Sequence, residues 1–583
     1  MSNKASTACA RRPAVAGAAL VAAAALIAGG CSSSSGSSSS ALSCPSKTGT
    51  AVSGNAPAGT GQPAPGWTEP DGDLAATRDV ASAITSGNVA TLGVAWTVPL
   101  NISTTHSDGA YASTPVIVKG VVYTQDLESN VYAISLATGQ VVWRHVYNSP
   151  NGGPDGVTVA GGVVYAATNH AAVALDAATG AQLWSRTLIG NDHEGIDMAP
   201  GYDHGTVYVS TVPVNPLVAE YGGGGKGILW ALNAQTGTPE WSWDQVQDLW
   251  GNPGVNSGGG LWYSPSFDAQ GNIYLGIANP GPVFGTKAYP VGSSRPGPDL
   301  YTDSVVKLSP AGKLLWYYQL TPHDLYDQDL QDPPVLSTAD GRPVVIDGGK
   351  AGILIELDAQ TGKLLWQRPV GGHDGHQNDG LLTEHATPTS RGLLPAQYCL
   401  EPNTYGGIVT QLASNGSTTF AAVTDLALRM TPAGPADPVA VLFGKVENAA
   451  GEMVAVNQDT GTVVWDTLLP SSPYGAATVT NGIVFTTTFK GDLYALDAAT
   501  GAVLFSTPMS AGSNAPVAVD GSYVIAGTGV ALSSKQKDLI IAYKLGATGK
   551  LPDTVGSLPD LGWRRATSCA APRPVSPAGG SRS

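Results

Sequence analysis

Between about residue 88 and residue 546, short runs of alternating apolar and polar residues recur, and one run returns in recognisable form. Val131-Tyr-Ala-Ile-Ser-Leu-Ala-Thr-Gly-Gln-Val-Val-Trp143 is one copy, and Ala172-Val-Ala-Leu-Asp-Ala-Ala-Thr-Gly-Ala-Gln-Leu-Trp184 is another. Further copies end at Trp241, Trp316, Trp366 and Trp465 and, with Phe in place of Trp, at Phe505. Period-two alternation on both sides of a Thr-Gly or Ala-Gly step predicts a β-hairpin, with glycine supplying the positive φ of the turn. The turn glycines are Gly139, Gly180, Gly237, Gly312, Gly362, Gly461 and Gly501. A second strand pair precedes most copies, as in Thr114–Val118 followed by Gly120–Tyr123. Each unit is therefore four antiparallel strands, A to D.

A repeated four-stranded unit of this size predicts an all-β protein, a β-propeller. Solenoid repeats are usually shorter and need capping units. The seven turns predict seven blades, and Ala515–Leu545 supplies three strands of an eighth. Val94–Val98, upstream of the first blade, can provide its missing D strand, so that an N-terminal strand closes the ring and removes a free sheet edge. The recurrent Trp is explained by packing between blades. The expected organisation is a signal peptide over 1–30, a Ser/Gly/Pro-rich tether over 31–87, the eight-bladed propeller over 88–546 and a tail over 547–583.

The N-terminal assignment rests on Lys4, Arg11 and Arg12 ahead of an apolar run from Ala14 to Ala28 that stops at Gly29-Gly30-Cys31. This is an export signal. Ala28-Gly29-Gly30-Cys31 resembles a bacterial lipobox, which implies acylation of Cys31 and attachment to the outer face of the cytoplasmic membrane, with plain secretion as the alternative. Ser32–Ser40, interrupted by Gly36, reads as a flexible tether. Of the five cysteines, Cys44, Cys399 and Cys569 remain once Cys9 and Cys31 are set aside; export permits one disulfide, and the sequence leaves all three pairings open. There is no CxxC for haem attachment or zinc. With 29 Lys+Arg against 44 Asp+Glu the net charge is −15, which excludes a nucleic-acid binder.

Strands B and D run in the same direction, so B–C and D–A loops share one face of the ring and can converge at its axis. Polar residues in those loops stand out: Glu220, Asn279 and Lys350 after B strands, and Trp262 and the run Thr321-Pro-His-Asp-Leu-Tyr-Asp-Gln-Asp329 after D strands. Gly371–His376, with His385, is a polar loop whose spacing fits no standard metal site. The stretch from Gly371 to Gly416 reads as an insertion over the same face.

On these residues the chain from about Asn88 to Leu545 resembles the eight-bladed quinoprotein alcohol and methanol dehydrogenases, which bind pyrroloquinoline quinone (PQQ) and a metal ion. Ala219-Glu220-Tyr221-Gly222 and Ala278-Asn279-Pro280 are similar to the loops whose Glu and Asn ligate the metal. Thr321–Asp327 resembles Thr-Pro-x-Asp-x-Trp-Asp, whose last Asp is the catalytic base, with Tyr326 in place of Trp. Lys350 falls where a basic residue touches the quinone carbonyls and Trp262 where a Trp stacks on the cofactor. The resemblance thus implies PQQ with Ca2+ or a lanthanide ion, the latter through Asp329 as an added anionic ligand. It also implies an alcohol substrate and a separate electron acceptor, a cytochrome or a quinone. The chain departs from the pattern at Ala112, at Asp197 and in Tyr147–Asp155, which lacks the usual adjacent cysteines. A non-catalytic propeller serving as an extracytoplasmic binding or assembly scaffold is the alternative.

Overall fold

The structure is a computed structural model. It describes residues 66–552 apart from 101, 103–108, 214–222, 376–386, 388, 436–448 and 532–534. Eight antiparallel sheets form the blades of a β-propeller. The first is Val116–Val118, Val121–Gln125, Val131–Ser135 and Val141–His145, hydrogen-bonded in that order. Burial follows that order. The inner three strands are largely buried, whereas the D strands carry exposed Val141, Leu183, Val463 and Val503. Strand A is therefore the innermost of each blade.

One contact repeats around the ring. The turn glycine of each of blades one to seven meets the Trp of the strand before it. A Cβ added at Gly139 would sit 2.6 Å from Trp96, and at Gly180 2.6 Å from Trp143. Gly237, Gly312, Gly362, Gly461 and Gly501 meet Trp184, Trp241, Trp316, Trp366 and Trp465 in the same way. The indole N–H of each Trp donates to a carbonyl in the same neighbouring turn, as from Trp96 to Leu136 O at 2.9 Å and from Trp465 to Ala498 O at 2.9 Å. Glycine is required twice over: each turn residue has positive φ, and any side chain would occupy the indole's place.

The last blade is Ala518–Asp520, Tyr523–Gly527 and Leu539–Leu545, completed by Leu92–Pro99 from the N-terminal side. Their register runs from Leu92 opposite Leu545 to Pro99 opposite Leu539. No C–D turn exists here to receive an aromatic from the seventh blade, and Phe505 takes the place of Trp. Val89–Thr91 fills this seam, with Thr91 O accepting from Gly546 N at 2.8 Å.

Residues 66–87 fall in the segment that composition assigns to the tether, yet they form a strap across the inner strands. Trp67 O accepts from Ile117 N, Leu74 O from Phe267 N, Ala75 O from Leu336 N, and Thr77 O from Ser414 N; Arg78 O accepts from Val479 N. The strap thus touches blades one, four, five, six and seven. Trp67, Arg78, Val80 and Ile84 are fully buried. Arg78 pairs with Asp71 at 3.2 Å, stands over the Trp67 ring and donates Nε–H to Ala477 O at 2.8 Å. A composition average over 31–87 hides these few anchoring residues behind Ser, Gly and Pro.

Gly162 and Gly180 separate the two demands on glycine. Both have positive φ, but nothing lies within 4 Å of a Cβ at Gly162. Gly162→Ala should destabilise by about 1 kcal/mol through backbone strain. Gly180→Ala should lose a further 1–3 kcal/mol, roughly, by displacing Trp143. Urea unfolding of the two variants measures this, and equal losses would remove the indole contact from the account.

Candidate functional site

The D–A loop after Leu314–Gln319 is built to hold a sharp turn at Asp327. The Asp324 carboxylate accepts from Tyr326 N at 2.7 Å through Oδ1 and from Gln328 N at 2.7 Å through Oδ2. This Asx-type turn satisfies two backbone donors in a buried loop. Burial pushes the Asp324 carboxyl up to about 6 against the pull of those donors. Asp327 itself has φ +62°, a left-handed conformation that Asp tolerates better than most residues.

A second group fixes the loop from outside. Arg295 is fully buried; its Nη1 pairs with Asp299 Oδ2, and its Nη2 donates to Asp324 O at 2.6 Å, Pro282 O at 3.2 Å and Val283 O at 3.3 Å. His323 Nδ1 lies 3.3 Å from the same Asp299 carboxylate. Tyr326 OH is 2.7 Å from Tyr398 OH. Tyr398 lies in a small sheet of Tyr398–Leu400, Leu428–Thr431 and Gly434–Pro435, so part of the expected insertion buttresses the loop.

The structure brings Asp327, Asp329, Lys350 and Asn279 together. Lys350 Nζ lies 3.0 Å from Asp327 Oδ2 and 2.6 Å from Asp329 Oδ2. Asp329 Oδ1 accepts from Asn279 N at 2.6 Å, and Asp329 O accepts from Lys350 N at 2.9 Å. A Cβ at Gly349 would stand 2.1 Å from Asp329 O, so glycine there lets the Lys350 loop close on the Asp loop. The Asn279 amide nitrogen donates to Pro280 O at 3.0 Å, leaving Oδ1 as its atom for a further partner. Burial pulls the Lys350 ammonium towards neutrality, but Asp327 and Asp329 outweigh it and hold its pKa well above the usual lysine value.

Trp262 reaches this group through the backbone. Gly259 N donates to Asn279 O at 3.0 Å, and Ala278 N to Gly260 O at 3.1 Å. Gly258, Gly259 and Gly260 all have positive φ, and a Cβ on Gly258 would press on Pro280 at 2.7 Å. The Trp262 indole N–H is buried with no hydrogen-bond partner among the described residues. Glu220 and Cys31 lie outside the described residues, as do His376, His385, Cys44 and Cys569. Cys399 sits on Tyr398–Leu400, opposite Arg429.

Nearer the strap, a small cavity of about 10 Å³ is lined by Asp71, Ala112, Asp155, Tyr263 and Gln411, among others. Sequence reasoning passed over its carboxylates, which look like ordinary loop residues along the chain. Both carboxylate oxygens of Asp155 are buried with no hydrogen-bond partner among the described residues, and the same holds for Asp303 and Asp332. Burial, with Asp197 and Asp126 nearby, raises the Asp155 pKa well above the usual carboxylate value. Burial also raises Asp303, beside Asp324 and Asp329, and Asp332, beside Asp71. The Arg295–Asp299 pair was likewise missed; its only sequence trace is the Arg-Pro-Gly-Pro-Asp run in a B–C loop.

Comparison with known proteins agrees with the expected resemblance. The family model described as the β-propeller domain of glucose, ethanol and alcohol dehydrogenases, PQQ, matches residues 67–155 and 204–390. A model described as outer membrane protein assembly factor BamB matches 127–259 and 449–551. The quinohemoprotein alcohol dehydrogenase of Comamonas testosteroni is 28% identical over 534 residues, covering 79% of this chain and 71% of that protein. Its crystal structure superposes with a TM-score of 0.69, covering 85% of this chain and 83% of that chain at 24% identity. A putative dehydrogenase, XoxF, of Paracoccus denitrificans is 27% identical over 550 residues, covering 79% of this chain and 86% of that protein. A europium-containing methanol dehydrogenase shares the fold, with a TM-score of 0.66 and 20% identity, covering 82% of this chain and 98% of that chain. The resemblance to PQQ-dependent alcohol dehydrogenase propellers therefore holds in sequence and in fold.

Asp299→Asn leaves the buried Arg295 guanidinium without its carboxylate. We expect a loss of about 3–5 kcal/mol in unfolding free energy, measured by chemical denaturation. A loss below 1 kcal/mol would show that the pair does not anchor the loop.

Proposed function

We propose that the chain is a quinoprotein oxidoreductase that oxidises an alcohol or another hydroxyl compound, using PQQ and a metal ion. The observation that carries this reading is the convergence of Asp327, Asp329, Asn279 and Lys350 from three separate loops. Every residue of the proposed site, Glu220 and Trp262 included, falls inside the 204–390 match to the PQQ dehydrogenase model. Of these residues Glu220 also lies in a stretch matched by the assembly-factor model, whereas Trp262, Asn279, Asp327, Asp329 and Lys350 do not. That distribution favours the enzyme over a silent scaffold.

The residues fit a hard cation: carboxylate and amide oxygens are the donors such an ion takes, and an ammonium already stands between the two carboxylates. Glu220, Asn279, Asp327 and Asp329 would hold Ca2+ or, with the third carboxylate, a lanthanide ion. Trp262 offers a flat face behind a glycine run for a flat cofactor. The cavity lining around Ala112 and Asp155 holds no cationic side chain to pair with the quinone's own carboxylates. When bound, the quinone would supply a hydride acceptor and the metal ion would supply Lewis-acid polarisation.

The chain's own part is proton handling and positioning. Asp327, partly exposed and held by the Asp324 turn, takes the hydroxyl proton of the alcohol as general base. Lys350 sets its ammonium 3.0 Å from that carboxylate and orients it. The Arg295–Asp299 anchor fixes the base's backbone, and orientation of this kind is a large part of catalysis. Electrons pass to a separate acceptor, a cytochrome or a quinone.

Reconstitution tests the reading: purified protein is mixed with PQQ and either Ca2+ or La3+, and dye reduction is followed with a panel of alcohols. Wild type should turn over, and Asp327→Ala should lose at least about 100-fold. Absence of turnover with every combination would favour the scaffold. We place the protein outside the cytoplasmic membrane, tethered through lipid on Cys31. Cys31→Ser should then move it from the membrane fraction to the medium or block its processing, and unchanged fractionation would remove the anchor.

A further inference from the structure

Asp327 and Asp329 present two carboxylates to one point. Asp329 is 1% exposed and Asp327 14% exposed. Two anions so close, one of them shut away from water, require a cation between them. The structure supplies it from within the chain as the Lys350 ammonium, at 3.0 and 2.6 Å. The lysine's backbone is locked by its N–H bond to Asp329 O at 2.9 Å and by the close approach at Gly349. Its side chain is a flexible stem ending in a compact charge, and it is 12% exposed. The ammonium can therefore swing away while its root stays in place. Asp329 cannot follow it, because Oδ1 is held by Asn279 N at 2.6 Å.

We infer that this carboxylate pair is a cation site which the chain fills with its own Lys350 ammonium when no metal ion is bound, so that the metal and Lys350 compete for Asp329 Oδ2. The inference rests on the proposed reading that Asp327 and Asp329 ligate the metal. It adds a built-in competitor to that site. A metal ion entering the site displaces the ammonium from Asp329, and the stem carries it only a short way. Every metal affinity is lowered by the free energy of the broken ion pair, whatever the ion. Residual repulsion between the displaced ammonium and the metal is larger for a trivalent than for a divalent ion. Removing the ammonium should therefore help La3+ at least as much as Ca2+.

The test is calorimetric titration of Ca2+ and of La3+ into the metal-stripped full chain, as wild type, Lys350→Met and Lys350→Arg. Lys350→Met should bind both ions at least about tenfold more tightly, with La3+ gaining no less than Ca2+, and Lys350→Arg should stay near wild type. Thermal unfolding gives a second readout: stripped Lys350→Met should melt below stripped wild type, and saturating metal should raise its Tm by more. Lys350→Gln, smaller in change and also uncharged, serves if the Met variant does not fold. Unchanged or weaker binding by a folded, uncharged variant, while wild type binds metal, would overturn the competition and leave the metal site standing. Binding of neither ion by any of the proteins would overturn both. Turnover with PQQ is read separately on wild type and does not enter the titration.

Discussion

The ring is set by an indole lying on a glycine. Seven times, a D-strand Trp occupies the space where the next blade's turn residue would carry a side chain, and its N–H ties the two blades together. The contact fixes the distance and angle between neighbouring sheets at the outer edge. Blade number and the position of the inner strands follow from that repeated step. So does the meeting of D–A and B–C loops from different blades, since a loop only a few residues long reaches a partner only if its blade stands at the right angle. Asp329 meeting Asn279 N, and Lys350 meeting both carboxylates, are consequences of geometry established far from them.

Within that frame several carboxyl groups are buried. Asp155, Asp303 and Asp332 are buried with no hydrogen-bond partner among the described residues, and burial raises their pKa values well above the usual carboxylate value. Asp71 and Asp299 are instead given arginines. The chain thus holds carboxyl groups in a low-dielectric place in two ways, with raised proton affinity or with a paired cation. The Asp327–Asp329 group belongs to the second class, but its counter-charge is a lysine on a long stem rather than a planar guanidinium held by several carbonyls. That difference separates an exchangeable pairing from a structural one.

Much of this was legible along the chain. The Thr-Gly turn and its Trp repeat at fixed spacing, so period two and glycine chemistry specify hairpins and their count. The loop phase of Asn279, Asp327 and Lys350 follows from strand direction alone. The Asp155, Asp303 and Asp332 carboxyls were not legible, because burial of a loop residue depends on what the other blades bring over it. The strap was hidden for a different reason: Trp67, Arg78, Val80 and Ile84 follow a Ser-, Gly- and Pro-rich stretch and lie outside the hairpin repeat. Arg295 and Asp299 lie close together in sequence, yet the carbonyls that hold Arg295 come from two loops. Glu220 lies outside the described residues, so its place rests on resemblance.

The strap also governs the order in which the molecule can be assembled. Arg78 is bonded to Ala477 and Thr478, partners 399 and 400 residues away, and Leu92–Pro99 pairs with Leu539–Leu545. The segment from Arg78 to Pro99 lacks these partners until the seventh and eighth blades exist. The blades themselves are local hairpins and can form early, whereas closing such long loops is slow and entropically demanding. During that interval the inner strands of the nascent ring are open and the last sheet has a bare edge. Folding of this chain should therefore end, rather than begin, with the strap and the closing strand, which makes the late ring the species most exposed to aggregation and to proteases.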